Sequence, residues 1–306
     1  MDSSVIQPSG NALEANFQRM VGLSRQQRPP TLEERLARLD RLSAVLAANE
    51  TAFQQAISAD FGHRAAIETT MAETLLVQGE IRHARKYLRS WMASQRVATQ
   101  PQFWPAKNRL LPQPLGVVGI VAPWNYPLQL TLAPAVAAIA AGNRVMIKPS
   151  ELVPRFAALL KRAVADAFDS SELTVTDIDG NIAEAFAALP FDHLMFTGST
   201  RVGRLVAEAA GRNLTPVTLE LGGKSPAIID RSANLDQAAE RIAYGKLLNA
   251  GQTCIAPDFA LVARETAENF AGKVAANMRR MYGTAPDNPD YTSIVSGQHY
   301  ARLEGL

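Results

Sequence analysis

The chain of 306 residues carries one cysteine, Cys254. No disulfide can form within it, and a reducing, cytoplasmic setting is expected. Histidine is scarce as well. His63, His83, His193 and His299 stand far apart, none at metal-ligand spacing from the cysteine or a carboxylate cluster, so no bound metal is expected. Neither sign of charge dominates: 31 basic against 29 acidic residues leave a formal charge of +2. That balance gives no footing for nucleic acid or a membrane surface. Long apolar runs are missing. The longest, LTLAPAVAAIAAG at 130–142, is too short for a bilayer and is broken by Pro134. The first residues, MDSSVIQPSGNALEANF, lack a basic stretch followed by an apolar one, so no signal peptide is expected.

What is present suffices for a packed interior. Hydrophobic residues make up 47% of the chain and charged ones 20%, near globular averages, and the length suggests two domains. Residues 1–30 are polar, end in QQRPP and read as a flexible leader. Thr31 and Glu34 then stand in capping-box spacing, and Leu32, Leu36, Leu39 and Leu46 share one helical face. Further helices are expected at 51–60 and about 65–95, the latter with Arg82, Arg85, Lys86 and Arg89 on a solvated face. Residues 97–114 hold four prolines and two aromatics and read as an extended arm or hairpin able to pair with a neighbouring subunit. From 115, short apolar runs alternate with helical stretches: GVVGIVA, LQLTLAPAVAAIAAG, RVMIKP, ELVPRFAALLKRAVADAF, LTVTDI, IAEAFAAL, HLMFT, RVGRLVAEAAG. That alternation predicts an α/β fold with a doubly wound parallel sheet. A second region starts near 222 and holds the cysteine.

Four stretches have chemical potential, each with a plainer alternative. FTGSTRVG at 196–203 runs from a strand into a helix, so Gly198 and Ser199 stand where helix N–H groups favour a phosphate; taken alone, the stretch reads sooner as an ordinary turn with a serine N-cap. VMIKPSE at 145–151 places Lys148 and Glu151 past a strand's carboxyl end, where open α/β sheets bind ligands, unless they form a simple exposed pair. In APWNYP, Pro123 and Pro127 stiffen a loop holding Trp124, Asn125 and Tyr126. A rigid carboxamide N–H suits an oxyanion, and a turn asparagine is the alternative. LELGGKSP puts Glu220 in an apolar strand, an expensive place for a carboxylate without a task or a partner. Cys254, after Gly251, is either a nucleophile or a buried small hydrophobe.

In their order and spacing, PWNYP, IKPSE, FTGST, LELGGKSP and GQTC resemble the signature of the aldehyde dehydrogenase superfamily, from about residue 31 to the end. ADFGHR, PFDHLMFTGST, GKLLNAGQTCIAPD and NPDYTSIV are most similar to the coniferyl aldehyde dehydrogenase branch. The resemblance implies a Rossmann-like NAD(P)-binding domain over 31–221, including the arm at 97–114, and an incomplete α/β catalytic domain over 222–306. It implies that Cys254 attacks an aldehyde, that Asn125 and the Cys254 backbone N–H hold the oxyanion, and that Glu220 activates water against the thioester. Lys148 and Glu151 would contact the adenosine ribose and Gly198 and Ser199 the pyrophosphate. Pro123, Trp124 and Leu221 would lie around the cofactor, with Trp124 also lining the pocket. Glu151 would repel a 2′-phosphate, which favours NAD over NADP while leaving NADP open.

Family members continue beyond the position of Leu306 to an E-x-F-G-P motif that has no counterpart here. The resemblance therefore implies a truncated catalytic domain and a weakened version of the family's homo-oligomeric assembly. Three readings follow: oxidation of an aromatic or long-chain aldehyde to its acid; an inactive fragment that binds nucleotide or pairs with full-length subunits; or a cofactor-independent thiol esterase using Cys254 and Glu220.

Overall fold

The computed structural model describes residues 9–178, 182–283 and 288–305. The expected leader is in large part ordered. Residues Ser9–Gln26 form helix α1, and its Phe17 and Met20 are fully buried, with the Phe17 ring edge-on to Phe191 at 5.0 Å. A polar composition concealed three apolar residues, Leu13, Phe17 and Met20, at helical spacing. The first eight residues of the leader, and Leu306, lie outside the described residues.

Helix α2 (Leu32–Phe61) opens on the capping box, with Thr31 and Glu34 exchanging both hydrogen bonds. It runs without a break through the segment expected as a separate helix at 51–60 and stops at Gly62. A short helix α3 (Ala66–Thr69) passes through a π-helical turn at Thr70–Thr74 into α4 (Leu75–Trp91). Arg82, Arg85, Lys86 and Arg89 lie on its exposed side. The segment after it folds back as a hairpin of β1 (Gln95–Val97) and β2 (Asn108–Leu110), antiparallel and exposed throughout.

The alternating region gives β3 (Val117–Val121), α5 (Gln129–Ala140), β4 (Arg144–Lys148), α6 (Pro154–Ala167), β5 (Leu173–Val175), α7 (Ile182–Ala187), β6 (His193–Gly198), α8 (Thr200–Arg212) and β7 (Val217–Leu221). Five strands form one parallel sheet in the order β5-β4-β3-β6-β7. Alternate residues of each strand serve opposite faces. Val118, Ile120, Val145 and Ile147 face a core built with α2, α4, α5 and α6. Val117, Met146, Leu194 and Phe196 face a second core with α1, α7 and α8. Both faces are thus covered, as a parallel sheet requires. The chain order reverses between β3 and β6, the point of an open α/β sheet whose carboxyl edge commonly takes a ligand.

The remainder is smaller. Strand β8 (Ser225–Ile229) pairs in parallel with β9 (Pro257–Val262), and α9 (Leu235–Leu247) and α10 (Ala267–Tyr282) pack on one side around Ile229, Ala239 and Phe270. The other side is bare: Ile228, Phe259 and Leu261 are exposed. Helix α11 (Gly297–Glu304) follows. Among the described residues no helix is long and apolar enough to cross a membrane, and no three His, Cys, Asp or Glu side chains group as a metal site.

Candidate active site

The carboxyl edge of the sheet collects the motifs. Lys148 ends β4, and its carbonyl accepts the N–H of Ala122, which opens the loop 122–127. The Lys148 side chain is buried, and its ammonium reaches exposed Glu151 at 2.8 Å. Partial burial pushes the Glu151 carboxyl up, but the hydrogen bond and charge of Lys148 prevail and hold it below the usual carboxylate range. Ser199 caps α8, its hydroxyl accepting the Val202 N–H at 3.3 Å. Gly198 has a steric reason of its own: a Cβ there would lie 2.6 Å from the Phe196 ring. Gly203 likewise has Leu221 where a Cβ would go, at 2.7 Å. Gly198 and Leu221 are cross-strand partners, which brings the FTGST and LELGG segments side by side.

The loop 122–127 is held firmly. Pro123, Tyr126 and Pro127 are buried. The Trp124 ring is half-buried between Phe61 and His299, with centroids 6.2 and 4.9 Å away. Burial and the charge of Arg302 lower the His299 imidazole below its ordinary value. Asn125 faces the cysteine loop: its Nδ2 donates to the Gln252 carbonyl at 3.0 Å. Next to it, the Tyr126 and Thr253 hydroxyls share a hydrogen bond of 2.6 Å.

The cysteine loop itself is an unusual turn. Asn249, Ala250 and Gly251 have φ of 52°, 52° and 76°. Three consecutive left-handed residues reverse the chain at once. An L-residue there costs roughly 1–2 kcal/mol, asparagine being better suited than alanine. The expected bend at Gly-Gln-Thr therefore starts two residues earlier. Asn249 is fully buried and donates to the carbonyls of Asn125 (2.9 Å) and Gln252 (3.2 Å). Gln252 reaches the other way, donating to Ser293 O and accepting from Val295 N, both at 3.0 Å. Cys254 emerges exposed beyond this turn, so the buried-thiol alternative does not hold. Glu220 is exposed near the end of β7. Two glycines follow it, and a Cβ on Gly223 would sit 3.4 Å from the Cys254 carbonyl. Lys224 pairs with Asp258 at 2.7 Å.

Sequence reading missed a buried pair behind this site. Arg64 and Glu73 are fully enclosed, their Nη1 and Oε1 atoms 2.8 Å apart. The other Glu73 oxygen accepts the N–H of Leu128 (2.6 Å) and Gln129 (3.1 Å), supplying the N-terminus of α5 with the acceptor its own sequence lacks. Burial pushes the Glu73 carboxyl up, against the opposing influence of Arg64 and these amides. The signal available in the sequence was a carboxylate inside TTMAETLLV, an apolar setting like that of Glu220.

Comparisons with known proteins show what the chain as a whole is similar to. The family model described as "Aldehyde dehydrogenase family" matches residues 11–306. Coniferyl aldehyde dehydrogenase from Pseudomonas sp. is 43% identical over 294 residues, covering 96% of this chain and 60% of the relative. Among solved structures, the substrate-bound state of Staphylococcus aureus AldH is 38% identical with a TM-score of 0.92, covering 96% of this chain and 64% of that one. A variant of aldehyde dehydrogenase C from Pseudomonas syringae, in complex with NAD+ and octanal, is 27% identical with a TM-score of 0.82, covering 97% and 60%. The chain thus spans about 60% of the length of the curated relatives it matches. On the match to nearly its whole length, the chain belongs to the aldehyde dehydrogenase family.

Proposed function

We propose that this chain carries the cofactor edge and the nucleophile of an NAD(P)+-dependent enzyme that oxidises an aldehyde, aromatic like coniferyl aldehyde or long-chain, to the carboxylic acid. The observation that carries the reading is the hydrogen bond from Asn125 Nδ2 to the carbonyl of Gln252, two residues before the exposed Cys254. A carboxamide has two N–H bonds. One anchors the thiol loop and the other is available to an oxyanion.

In this mechanism the Cys254 thiol gives up its proton to water as its Sγ adds to the aldehyde carbon, and the charge on oxygen is met by Asn125 and the Cys254 N–H. Lys148 and Glu151 would hold the ribose of the dinucleotide, with Pro123, Trp124 and Leu221 around it. The N-terminus of α8 at Gly198 and Ser199 would hold its phosphates. The buried lysine cation and the helix terminus both suit such an anion. Bound there, the dinucleotide supplies the acceptor for the hydride leaving the carbonyl carbon. Cys254 then holds the acyl group as a thioester. Glu220 takes a proton from water, the resulting hydroxide adds to the thioester carbon, and the carbon–sulfur bond breaks to release the acid and the thiol. Glu151 is placed to disfavour a 2′-phosphate, so NAD+ is preferred over NADP+.

The bare apolar face of β8–β9 favours a second reading, nucleotide binding without turnover. One set of measurements separates these. NAD+ titration, mass spectrometry of acylated Cys254 and turnover of coniferyl aldehyde should all be positive for the enzyme. Cofactor binding without acylation sinks it in favour of the second reading. Hydrolysis of nitrophenyl esters with no aldehyde oxidation points to a thiol esterase.

A further inference from the structure

Arg64 is the largest fully buried side chain that carries a charge, and nothing in the proposed chemistry uses it. Its surroundings join the loop that holds Asn125 to the turn before Cys254 and to residues 292–295. It follows α2, where its guanidinium lies over the rings of Phe61 and Tyr126 at 5.4 and 5.0 Å. Nη1 meets Glu73 at 2.8 Å and also donates to the Asn125 carbonyl at 3.3 Å. Glu73 comes within reach because α3 widens into the π-helical turn, closed by the Leu75 N–H bonding to the Thr70 carbonyl. Such turns recur at functional sites. From Asn125 the connection continues to Asn249 and Gln252, hence to the turn before Cys254. On the other flank, Glu68 accepts from the Thr292 hydroxyl at 2.8 Å, and the His63 carbonyl accepts the Ser293 N–H at 2.9 Å. Gln252 binds the same segment at Ser293 and Val295.

We propose that the buried Arg64–Glu73 pair is a positioning device: it fixes the main chain of Asn125 and, through Asn249 and Gln252, the placement of Cys254. A buried ion pair is a poor way to gain stability, but the Arg64 Nη1, set between Glu73 and the Asn125 carbonyl, ties the π-helical turn to the loop after β3. Arg64 and Glu73 are positioning residues, since neither lies at the reacting atoms. The inference rests on the acyl-transfer reading of Cys254 and Asn125.

The test uses the full 306-residue chain and hydrolysis of p-nitrophenyl acetate, which needs no cofactor. Removing one partner would strand a buried charge, so both are neutralised in Arg64→Met/Glu73→Gln, which keeps an amide oxygen for the N–H groups of Leu128 and Gln129. The expected result is a cooperative melt, kcat lower by about 10- to 100-fold and KM within about twofold. In an Asn125→Ala/Asn249→Ala background, which removes both side-chain links to Gln252, the same pair of changes should cost less than about threefold more. Arg64→Lys keeps the charge but loses the planar group whose Nη1 stands between Glu73 and the Asn125 carbonyl, and should fall between. Wild-type kcat in the double variant overturns the proposal, as do losses that multiply fully in the Asn125→Ala/Asn249→Ala background. Should the double variant not fold, Arg64→Lys is judged on the same two criteria. If the unaltered chain hydrolyses no ester, the acyl-transfer reading fails by itself. Alkylation of Cys254, the single thiol, by iodoacetamide then decides: a rate changed by about threefold or more in Arg64→Lys supports positioning, and an unchanged rate refutes it.

Discussion

The side-chain amide of Asn125 is bonded to the main chain of Gln252 across 3.0 Å, tying the loop after β3 to the turn that carries the thiol. Asn125→Ala removes an anchor as well as an oxyanion donor. The expected loss in kcat is on the order of 10²–10³. Asn125→Asp should be no better, because it sets a carboxylate against the Gln252 carbonyl and has no N–H to offer. Steady-state kinetics of ester and aldehyde substrates test both, and kcat within a factor of about three of the unaltered chain would remove Asn125 from the mechanism.

Helix α1 should be part of the folded unit. Phe17 is 1% exposed and lies edge-on to Phe191 beside β3 and β6. Phe17→Ala therefore leaves a cavity in one of the two sheet cores, with an expected cost of about 3–5 kcal/mol. Urea unfolding measures it. A cost under about 0.5 kcal/mol is the behaviour of a surface position and would mean that α1 is not docked.

These two residues mark what the sequence made legible. Asn125 could be placed because it follows β3, and Lys148, Gly198 and Glu220 because they stand at the ends of β4, β6 and β7, whose parallel course delivers their carboxyl ends to one edge; Cys254, in the turn after α9, stood out as the single thiol. The alternation of β3 through β7 was readable from its short apolar runs. Phe17 was hidden because its helix is short of apolar residues and follows no cap that a local pattern reveals. Arg64 and Glu73 were hidden because their meaning is nonlocal: a carboxylate on one helix caps another, 55 residues further along the chain. Asn249 and Ala250 were passed over in favour of Gly251, since left-handed backbone is the usual sign of glycine.

Cofactor choice should depend on Glu151. Its carboxylate is kept charged beside Lys148 and would face a 2′-phosphate with like charge. Glu151→Gln removes that repulsion and leaves the lysine free to pair with the phosphate. The Kd ratio of NADP+ to NAD+ should fall by about tenfold or more. Fluorescence titration with both dinucleotides gives the ratio directly. An unchanged ratio would place the ribose elsewhere.

The bare face of β8–β9 should make the isolated chain self-associate. Ile228 and Leu261 are cross-strand partners, 76% and 52% exposed, with Phe259 two residues along on the same side. Adjacent apolar side chains on an open sheet are a site for association. Ile228→Thr/Leu261→Lys breaks the patch without touching the Ile229–Phe270 core behind it. Sedimentation at rising concentration should show weaker association in the variant, with the melting temperature unchanged within about 3 °C. Equal association in both would move the contact to the β1–β2 hairpin, whose residues are exposed throughout.

The packing of Trp124 should respond to pH through His299. The imidazole lies edge-on to the indole at 4.9 Å, and its Nδ1 shares a hydrogen bond of 2.8 Å with the Ser296 hydroxyl. Burial, helped by Arg302, lowers its pKa, so the folded chain prefers the neutral ring. A lowered value means that the unfolded chain binds the proton more readily. The stability contributed by the neutral ring is complete above the ordinary imidazole range, and it is lost as pH falls through the lowered folded value. With Trp91 and Trp104 replaced by phenylalanine, Trp124 is the sole indole, and its emission should change on the acid side of the ordinary imidazole value. In a His299→Gln background that transition should vanish. If it persists there unchanged, the group that titrates beside Trp124 is not His299, and the contact between α11 and the loop after β3 does not depend on the charge of that ring.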